Sequence, residues 1–432
     1  MSFEIKEFAK SFSVFEAGVK AQVGNDAYNK RISDIIEYLL GSSAVFRECN
    51  DRLFLYLVFG RALIEENYIF YNLFEGARVI PMLFKLSSNW NSIESIANFE
   101  AKLEDLCRVT NRDVDAVIFE LLVASAYKNS GYTVSFIPEA PPDRTPDIMI
   151  EKDGVTRYVE CKKMQRGSDY SYKEMDRWYD IADIVRDIIL ESKISAHFHF
   201  KFKSELLDIN PKRIIRKIRK KIETCKNIST QFHITKNEDF TIKFKPIDKS
   251  KFNTELDPMR NFGGPSFAEY LTGSYKNEYG YKIIGDVKIE EPPFVSIVNH
   301  ASVMSHQFVG SRAAYKKAVH AKRKLIDASG QLTSTMPGNI HILVEDCQGL
   351  TVHESRAMRN IIEISNFTDT NGGVENIHLH VCKYVTPLNE LFDVEETVIS
   401  FHAPNCVPQV IPPVWFHTEQ IEEGFGTLLQ EH

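Results

Sequence analysis

The chain has 432 residues, of which 43% are hydrophobic and 26% are charged, and its formal net charge is -7 at pH 7. This length exceeds what one hydrophobic core usually supports, so we expect two or three domains. The negative sum excludes a uniformly basic protein that coats nucleic acid, but it is compatible with a local patch of the opposite sign.

The sequence contains no segment typical of a membrane or secreted protein. The longest apolar run near the start, Leu53 to Phe59, is far shorter than the roughly 20 residues of a membrane span. The first ten residues alternate charged and apolar side chains, which argues against a secretory signal. Seven cysteines without a C-x-x-C pair give little support for structural zinc or disulfides. We expect a cytoplasmic protein with reduced thiols and no membrane partner.

Helical periodicity predicts a helical N-terminal region over residues 1–110 and an α/β domain over 111–245. The elements expected in this α/β domain are a helix over 112–131, strands over 132–140, 146–153 and 156–164, a helix over 172–192 and a strand over 196–203. Asp153-Gly154 is the strongest short signal for a hairpin between the second and third strands. The predicted order is αβββαβ.

A basic segment follows this unit. Residues 193–226 contain eleven Lys or Arg and three acids, a local excess of +8. Pro211 suits the first turn of a helix, and isoleucines at positions 214, 215, 218 and 222 form an apolar stripe opposite the cations. The residues predicted to bind nucleic acid are Lys201, Lys203, Arg213, Arg216, Lys217 and Lys220. A solvated surface helix remains the alternative interpretation.

Residues 246–293 are interrupted by Gly and Pro residues and are predicted to form a connection to a C-terminal α/β domain over 294–432. A basic stripe in that domain, Arg312, Lys316, Lys317 and Lys324, is a second candidate for phosphate binding. His378, His380 and Cys382 share one strand face, but no fourth metal ligand stands near them in the sequence. The interpretation of these groups stays open.

The hairpin carries the residues that suggest chemistry. Asp147 and Glu160 are predicted on adjacent antiparallel strands, where two carboxylates repel each other unless a cation holds them. Mg²⁺ prefers such oxygen ligands and binds together with substrate phosphates. Lys162 lies two residues after Glu160, so both side chains point to one face and the Cys161 side chain points to the other. This set suits phosphodiester hydrolysis.

The motif "TPDIMI", followed by "VECKK", resembles the PD-(D/E)XK nuclease superfamily, which includes restriction endonucleases. The resemblance covers residues 110–205 and implies a restriction-endonuclease-like αβββαβ core. It implies that Asp147, Glu160 and Lys162 are catalytic, and that Glu120 matches the additional acid found on the preceding helix of many members. Asp147, Glu160, Glu120 and the backbone carbonyl of Cys161 would hold the metal, Mg²⁺ or Mn²⁺ in its place.

The resemblance implies a metal-dependent endonuclease that acts on DNA, in restriction, phage defence or repair. Two alternatives stay open: a non-cleaving nucleic-acid-binding or assembly module with the nuclease fold, and an endonuclease directed at RNA. The sequence has no G-x-x-x-x-G-K-[ST] loop, so an ATPase activity would have to come from a partner subunit. A homo-oligomer is a further possibility that the motif leaves open.

Overall fold

The computed structural model describes residues 5–41, 49–65, 73–109, 113–138, 145–164, 169–225, 231–252, 264–276, 278–288, 297–312, 321–346, 350–385, 393–404, 406, 414 and 425–427. The described part of residues 1–110 is helical, as predicted. Its helices are α1 (Ile5–Val23), α2 (Asn25–Gly41), α3 (Arg52–Ile64), α4 (Leu73–Ser88), α5 (Trp90–Glu94) and α6 (Phe99–Cys107). Their apolar side chains form one core with those of α7 (Val114–Asn129).

The predicted hairpin is present after α7. Its region contains β1 (Thr133–Phe136), β2 (Ile148–Lys152) and β3 (Val155–Lys163). Asp113 is the N-cap residue of α7, and its side chain accepts a hydrogen bond from the backbone N–H of Ala116 at 3.2 Å. The two turn residues Asp153 and Gly154 have φ angles of 53° and 76°. A two-residue type I′ turn needs positive φ at both positions, which explains the Asp-Gly pair.

The remaining elements are α8 (Asp169–Ser192), β4 (Ala196–Phe202), α9 (Pro211–Cys225), β5 (Phe232–Lys236), β6 (Phe240–Pro246), α10 (Pro265–Thr272), β7 (Gly280–Lys288), β8 (Ile297–Phe308), α11 (Lys322–Ser329), β9 (Gly338–Asp346), α12 (Leu350–Ser365), β10 (Val374–Val385), β11 (Asp393–His402) and β12 (Phe425–Thr427).

Two mixed sheets organise these strands. The larger sheet has the order β1-β2-β3-β9-β10-β11-β12, and the smaller has the order β5-β6-β4-β8-β7. One face of the larger sheet packs on α7 and the N-terminal helices, whereas α11 and α12 contribute to a core on the other face. The chain is therefore of the α/β class, as predicted.

The prediction that the strand over 196–203 closes the first sheet is wrong. β4 lies in the smaller sheet, and β9 runs parallel beside β3 instead, with Gly338 opposite Tyr158. A Cβ atom at Gly338 would collide with the carbonyl oxygen of Tyr158, so a glycine permits this close approach. The order α7, β1, β2, β3, α11, β9 is again αβββαβ, but α8 to β8 intervene in the chain.

The predicted domain limits therefore do not match the sheets. The larger sheet joins strands from 111–245 to strands from 294–432, and so does the smaller. The segment 246–293 is predicted to be a connection. Its described residues contain a helix, α10, and a strand of the smaller sheet, β7.

The smaller sheet has one apolar face and one polar face. Phe198, Phe200 and Phe202 of β4 pack in a core with α8 and α9. Since side chains alternate along a strand, Lys201 and the neighbouring histidines leave β4 on the opposite face. This core is separate from the two cores of the larger sheet.

Candidate metal site of the β2–β3 hairpin

Asp147 and Glu160 meet at the start of the hairpin, as predicted. The antiparallel register pairs Ile148 with Val159, so Asp147 stands next to Glu160 at the following position. Oδ2 of Asp147 accepts a 2.8 Å hydrogen bond from the backbone N–H of Cys161. This bond fixes the Asp147 carboxylate against β3.

Glu160 is fully buried. Its Oε1 accepts hydrogen bonds from the Lys162 ammonium and from Nε2 of Gln331, the latter at 2.8 Å. Its Oε2 is buried without a hydrogen-bond partner among the described residues. Burial first, and then the charge of Asp147, raise the pKa of Glu160 to about 9. A free acceptor beside a second carboxylate is an environment in which a cation would be stabilised.

Glu120 projects from α7 and is mostly buried. Its Oε2 accepts a 2.6 Å hydrogen bond from Nζ of Lys102 on α6. Burial and the charge of Asp147 raise the pKa of Glu120 to about 7, while Lys102 and Lys162 act in the opposite direction. The charge of Asp147 thus acts on both Glu120 and Glu160, but the three acids do not form a group that could hold a metal ion by itself within the described residues.

The Cys161 side chain lies on the opposite side of β3 from Glu160. It is buried in the core that β3 shares with α7. Burial raises the pKa of its thiol well above the ordinary value, and the nearby carboxylates raise it further. A thiol in this environment stays protonated, so the structure favours a packing role for the side chain.

The donor set fits a hard divalent cation that keeps some of its water. Among the described residues, no three His, Cys, Asp or Glu side chains are grouped as a complete metal site. Mg²⁺ does not need such a group, because it binds through one or two carboxylates together with water and phosphate oxygens. The residues that would hold it are Asp147, Glu160 with its unpartnered Oε2, and the Cys161 carbonyl, with Glu120 in support.

Two residues of this site escaped the sequence analysis. Lys102 and Gln331 contact Glu120 and Glu160 from elements that are 18 and 171 residues away in the chain. No local spacing connects them to the motif. The fold brings them to the site, because α6 and the turn after α11 lie beside the hairpin.

The residues predicted to bind nucleic acid do not form one surface. Lys201 lies on the polar face of the smaller sheet, whereas α9 packs on the apolar face. Lys203 is exposed, and its ammonium donates to the carbonyl oxygen of Asn237 at 2.8 Å.

On α9 the basic residues divide into two groups. Arg213 pairs with Asp239 at 2.9 Å, and Lys217 donates to Oγ1 of Thr235 at 2.8 Å, so both anchor the helix to its surroundings. Arg216 and Lys220 are exposed instead. They line an open groove beside α8. The residues of this groove are Ile184, Lys212, Ile215, Arg216, Arg219 and Lys220.

The predicted histidine and cysteine group is buried, and the second basic stripe lies only partly within the described residues. His378 and His380 are fully buried and hydrogen-bond to Ser400 and Glu396 at 2.9 and 3.0 Å. Cys382 is also buried, and no metal-binding group includes these residues in the described part of the chain. Arg312 pairs with Glu205 at 2.8 Å. Lys316 and Lys317 lie outside the described residues, and Lys324 is in α11.

Comparisons of the chain with protein-family models, with curated proteins and with solved structures found no match. None of the described helices combines the length and the apolar character that crossing a membrane requires.

Proposed function

We propose that this protein is a metal-dependent endonuclease that hydrolyses phosphodiester bonds, with DNA as the expected substrate. The observation that carries the proposal is the paired geometry of Asp147 and Glu160. Asp147 is held by the N–H of Cys161, and Glu160 is buried with one unpartnered carboxylate oxygen. The resemblance of this hairpin to the PD-(D/E)XK motif points to the same residues.

The strand arrangement supports the same proposal. The elements α7, β1, β2, β3, α11 and β9 follow one another in an αβββαβ order like that of the expected core, although α8 to β8 lie between β3 and α11 in the chain. β9 brings Gln331, in the turn before it, into contact with Glu160. Glu160 and Lys162 thus lie on a strand that is paired on both sides, and Asp147 directly precedes β2, the neighbour of that strand.

Each residue has a distinct role in the proposed reaction. A bound divalent cation supplies a more acidic water and offsets charge on the phosphate. Asp147 would bind such a cation through its charge, and Glu160, whose pKa is raised to about 9, would release its proton when the cation binds. Lys162, whose ammonium is held by Oε1 of Glu160, would orient the attacking water and stabilise the phosphate charge in the transition state.

The test is a cleavage assay with purified protein. Labelled single-stranded and duplex DNA and RNA, and closed circular DNA, are incubated with Mg²⁺, with Mn²⁺ or with EDTA. We expect cleavage only with the metals, and nicking of the closed circle would identify an endonuclease. Asp147→Asn should abolish cleavage, since it removes a ligand charge.

The matched control for this assay is Glu151→Gln. Glu151 is an exposed acid on the same strand, away from the hairpin start. It should retain full activity. Full activity of folded Asp147→Asn, or equal cleavage with EDTA, would reject the proposal, and binding without cleavage in all arms would favour the non-cleaving alternative.

A further inference from the structure

The polar face of the smaller sheet carries a transverse row of polar residues. The register places His199 beside Lys243 on β6 and beside Ser305 on β8, and Ser305 beside Tyr281 on β7. The next row along β4 places Lys201 beside Gln307. The row therefore crosses adjacent strands on the side of the sheet that α8 and α9 do not cover.

One end of this polar face is closed and the other is accessible. Phe267 and Leu271 of α10 pack on Ala301 and Val303 of β8. Beyond this contact Lys243 is exposed, Ser305 is buried, and the other side chains of the two rows are partly exposed. We call this accessible part the open face, and its residues are His199, Lys201, Lys243, Lys276, Tyr279 and Gln307.

Aromatic rings form a continuous ladder at the open face. The ring centroids of His199 and Tyr279 are 4.7 Å apart, and those of Tyr279 and Tyr281 are 6.3 Å apart. Tyr275 stacks on Tyr281 at 5.0 Å. Nε2 of Gln307 hydrogen-bonds to the ring of His199 at 3.1 Å and lies 3.4 Å from the Tyr279 hydroxyl. The Tyr279 ring is thus held in place while part of it remains accessible.

Three lysines surround this ladder. Lys201, Lys243 and Lys276 have no ion-pair partner among the described residues, and Nζ of Lys276 lies 5.5 Å from the Tyr279 ring centroid. Burial, and then the charges of the three lysines, lower the pKa of His199 to about 4. His199 is therefore neutral at pH 7, and the positive charge of the open face comes from the three lysines.

We propose that the open face binds single-stranded nucleic acid. Partly exposed rings stack on unpaired bases regardless of sequence, and ammonium groups beside them neutralise the phosphates. A duplex hides its bases and would present only phosphates to the rings, so the aromatic ladder favours single strands. This inference rests on the proposed nuclease function and adds that single-stranded nucleic acid is the form that the protein binds.

The experiment measures binding separately from cleavage. The full-length Asp147→Asn protein in EDTA is titrated against labelled oligonucleotides of about 12 nucleotides. Single-stranded DNA, single-stranded RNA and duplex DNA are compared by fluorescence anisotropy. Because no metal and no hydrolysis are involved, failure of the nuclease proposal would leave this binding result unchanged.

Tyr279→Ala should weaken binding of single strands about 5- to 100-fold, as loss of one base stack predicts. Tyr279→Phe should bind within about twofold of the parent, because stacking does not need the hydroxyl. Duplex binding should not change in either variant. Tyr179→Ala is the matched control, since Tyr179 is an exposed tyrosine on α8, at 43% exposure.

Lys201→Gln combined with Lys243→Gln should lower the slope of log K against log salt by about 1.4, or about 0.7 for each lost contact. This double variant also decides the question if Tyr279→Ala does not fold. Wild-type affinity and slope in both sets of variants would overturn the proposal. Equal losses for duplex and single strands would also overturn it, by identifying a general phosphate surface.

Discussion

Gln331 donates a 2.8 Å hydrogen bond to Oε1 of Glu160, although 171 residues separate the two in the chain. The contact exists because β9 pairs with β3 and carries the turn after α11 to the hairpin. It leaves Oε2 of Glu160 as the oxygen without a partner. Gln331 thus orients the buried carboxylate while leaving one oxygen for a ligand.

Gln331→Ala should reduce cleavage about 10- to 100-fold, because a hydrogen bond to a charged group contributes about 1.5–3 kcal/mol. The Mg²⁺ concentration for half-maximal activity should rise as well, since Glu160 loses its fixed orientation. Ser334→Ala, an exposed position in the same turn, is the control. Unchanged metal dependence in Gln331→Ala would show that this contact does not position the carboxylate.

Lys162→Ala should lower cleavage by at least about 100-fold while the affinity for substrate stays nearly constant. Affinity for a polyanion is spread over many cations, so one lysine contributes little to it. The fold should survive, because the pKa of Glu160, which burial raises to about 9, rises further when the ammonium is removed, so that Glu160 without a bound cation is neutral at pH 7 and leaves no unpaired charge in the core. The measurement combines single-turnover cleavage, anisotropy and thermal unfolding.

Lys152→Ala is the control for this substitution, since Lys152 is an exposed lysine at the other end of the same hairpin. It should cleave at the wild-type rate. Retained cleavage in Lys162→Ala would remove the lysine from the proposed mechanism.

Lys102→Met should move the pH profile of cleavage to higher pH. The Lys102 charge lowers the pKa of Glu120, which burial and Asp147 raise to about 7. Without this charge the pKa of Glu120 rises, so less of it is ionised at pH 7 and more base is needed to restore the carboxylate. Rates measured from pH 6 to 9 should show a loss at pH 7 that recovers towards pH 9.

Glu120→Gln provides the companion experiment. Its profile should lack the ionisation that Lys102→Met displaces, and adding Lys102→Met to it should shift nothing further. If the two profiles move independently, the Lys102 effect acts through another group.

Reversal of Arg216 and Lys220 to glutamate should weaken nucleic-acid binding across unrelated sequences. Both side chains are exposed on α9, unlike Arg213 and Lys217, which have protein partners. If each contacts one phosphate, the slope of log K against log salt falls by about 1.4 to 1.8. Lys6→Glu with Lys10→Glu is the matched control, because these exposed lysines have the same spacing on α1. If the affinity for nucleic acid and its salt dependence are unchanged, α9 is a solvated surface helix and does not bind phosphate.

The sequence was sufficient for those features that short spacings determine. The Asp-Gly turn predicted the hairpin, and its length placed Asp147 next to Glu160. Period-2 alternation predicted that Glu160 and Lys162 share a face, and they form an ion pair. Local stereochemistry is enough in each case, because few conformations satisfy the turn and the register together.

The expectation that the strand over 196–203 completes the αβββαβ unit failed because alternation describes any half-buried strand. Phe198, Phe200 and Phe202 fit the core of either sheet by pattern alone. β9 lies beside β3 because of contacts between residues far apart in the sequence, including the close approach of Gly338 to Tyr158. The same dependence on tertiary contacts hid Lys102 and Gln331 from sequence analysis.

His378 should make the protein less stable as the pH falls. Burial, and then the neighbouring His380, lower the pKa of His378 to about 3, whereas an unfolded histidine titrates near 6.5. The folded state therefore binds fewer protons between these values. The stability contributed by this group is complete above about pH 6.5 and is lost as the pH falls towards 3, by at most about 1.4 kcal/mol per pH unit.

His378→Asn should show a shallower loss of stability between pH 6.5 and 5 than the wild type. Urea unfolding at several pH values measures this slope, which is independent of any constant cost of the substitution itself. The difference reports His378 together with its effect on His341, because the two ring centroids are 4.7 Å apart and His378 contributes to the lowered pKa of His341. His233→Asn, at an exposed position on β5, should retain the wild-type slope. An identical slope in His378→Asn would mean that this imidazole does not titrate against folding, and the ring would then have to be accommodated as a cation in the core.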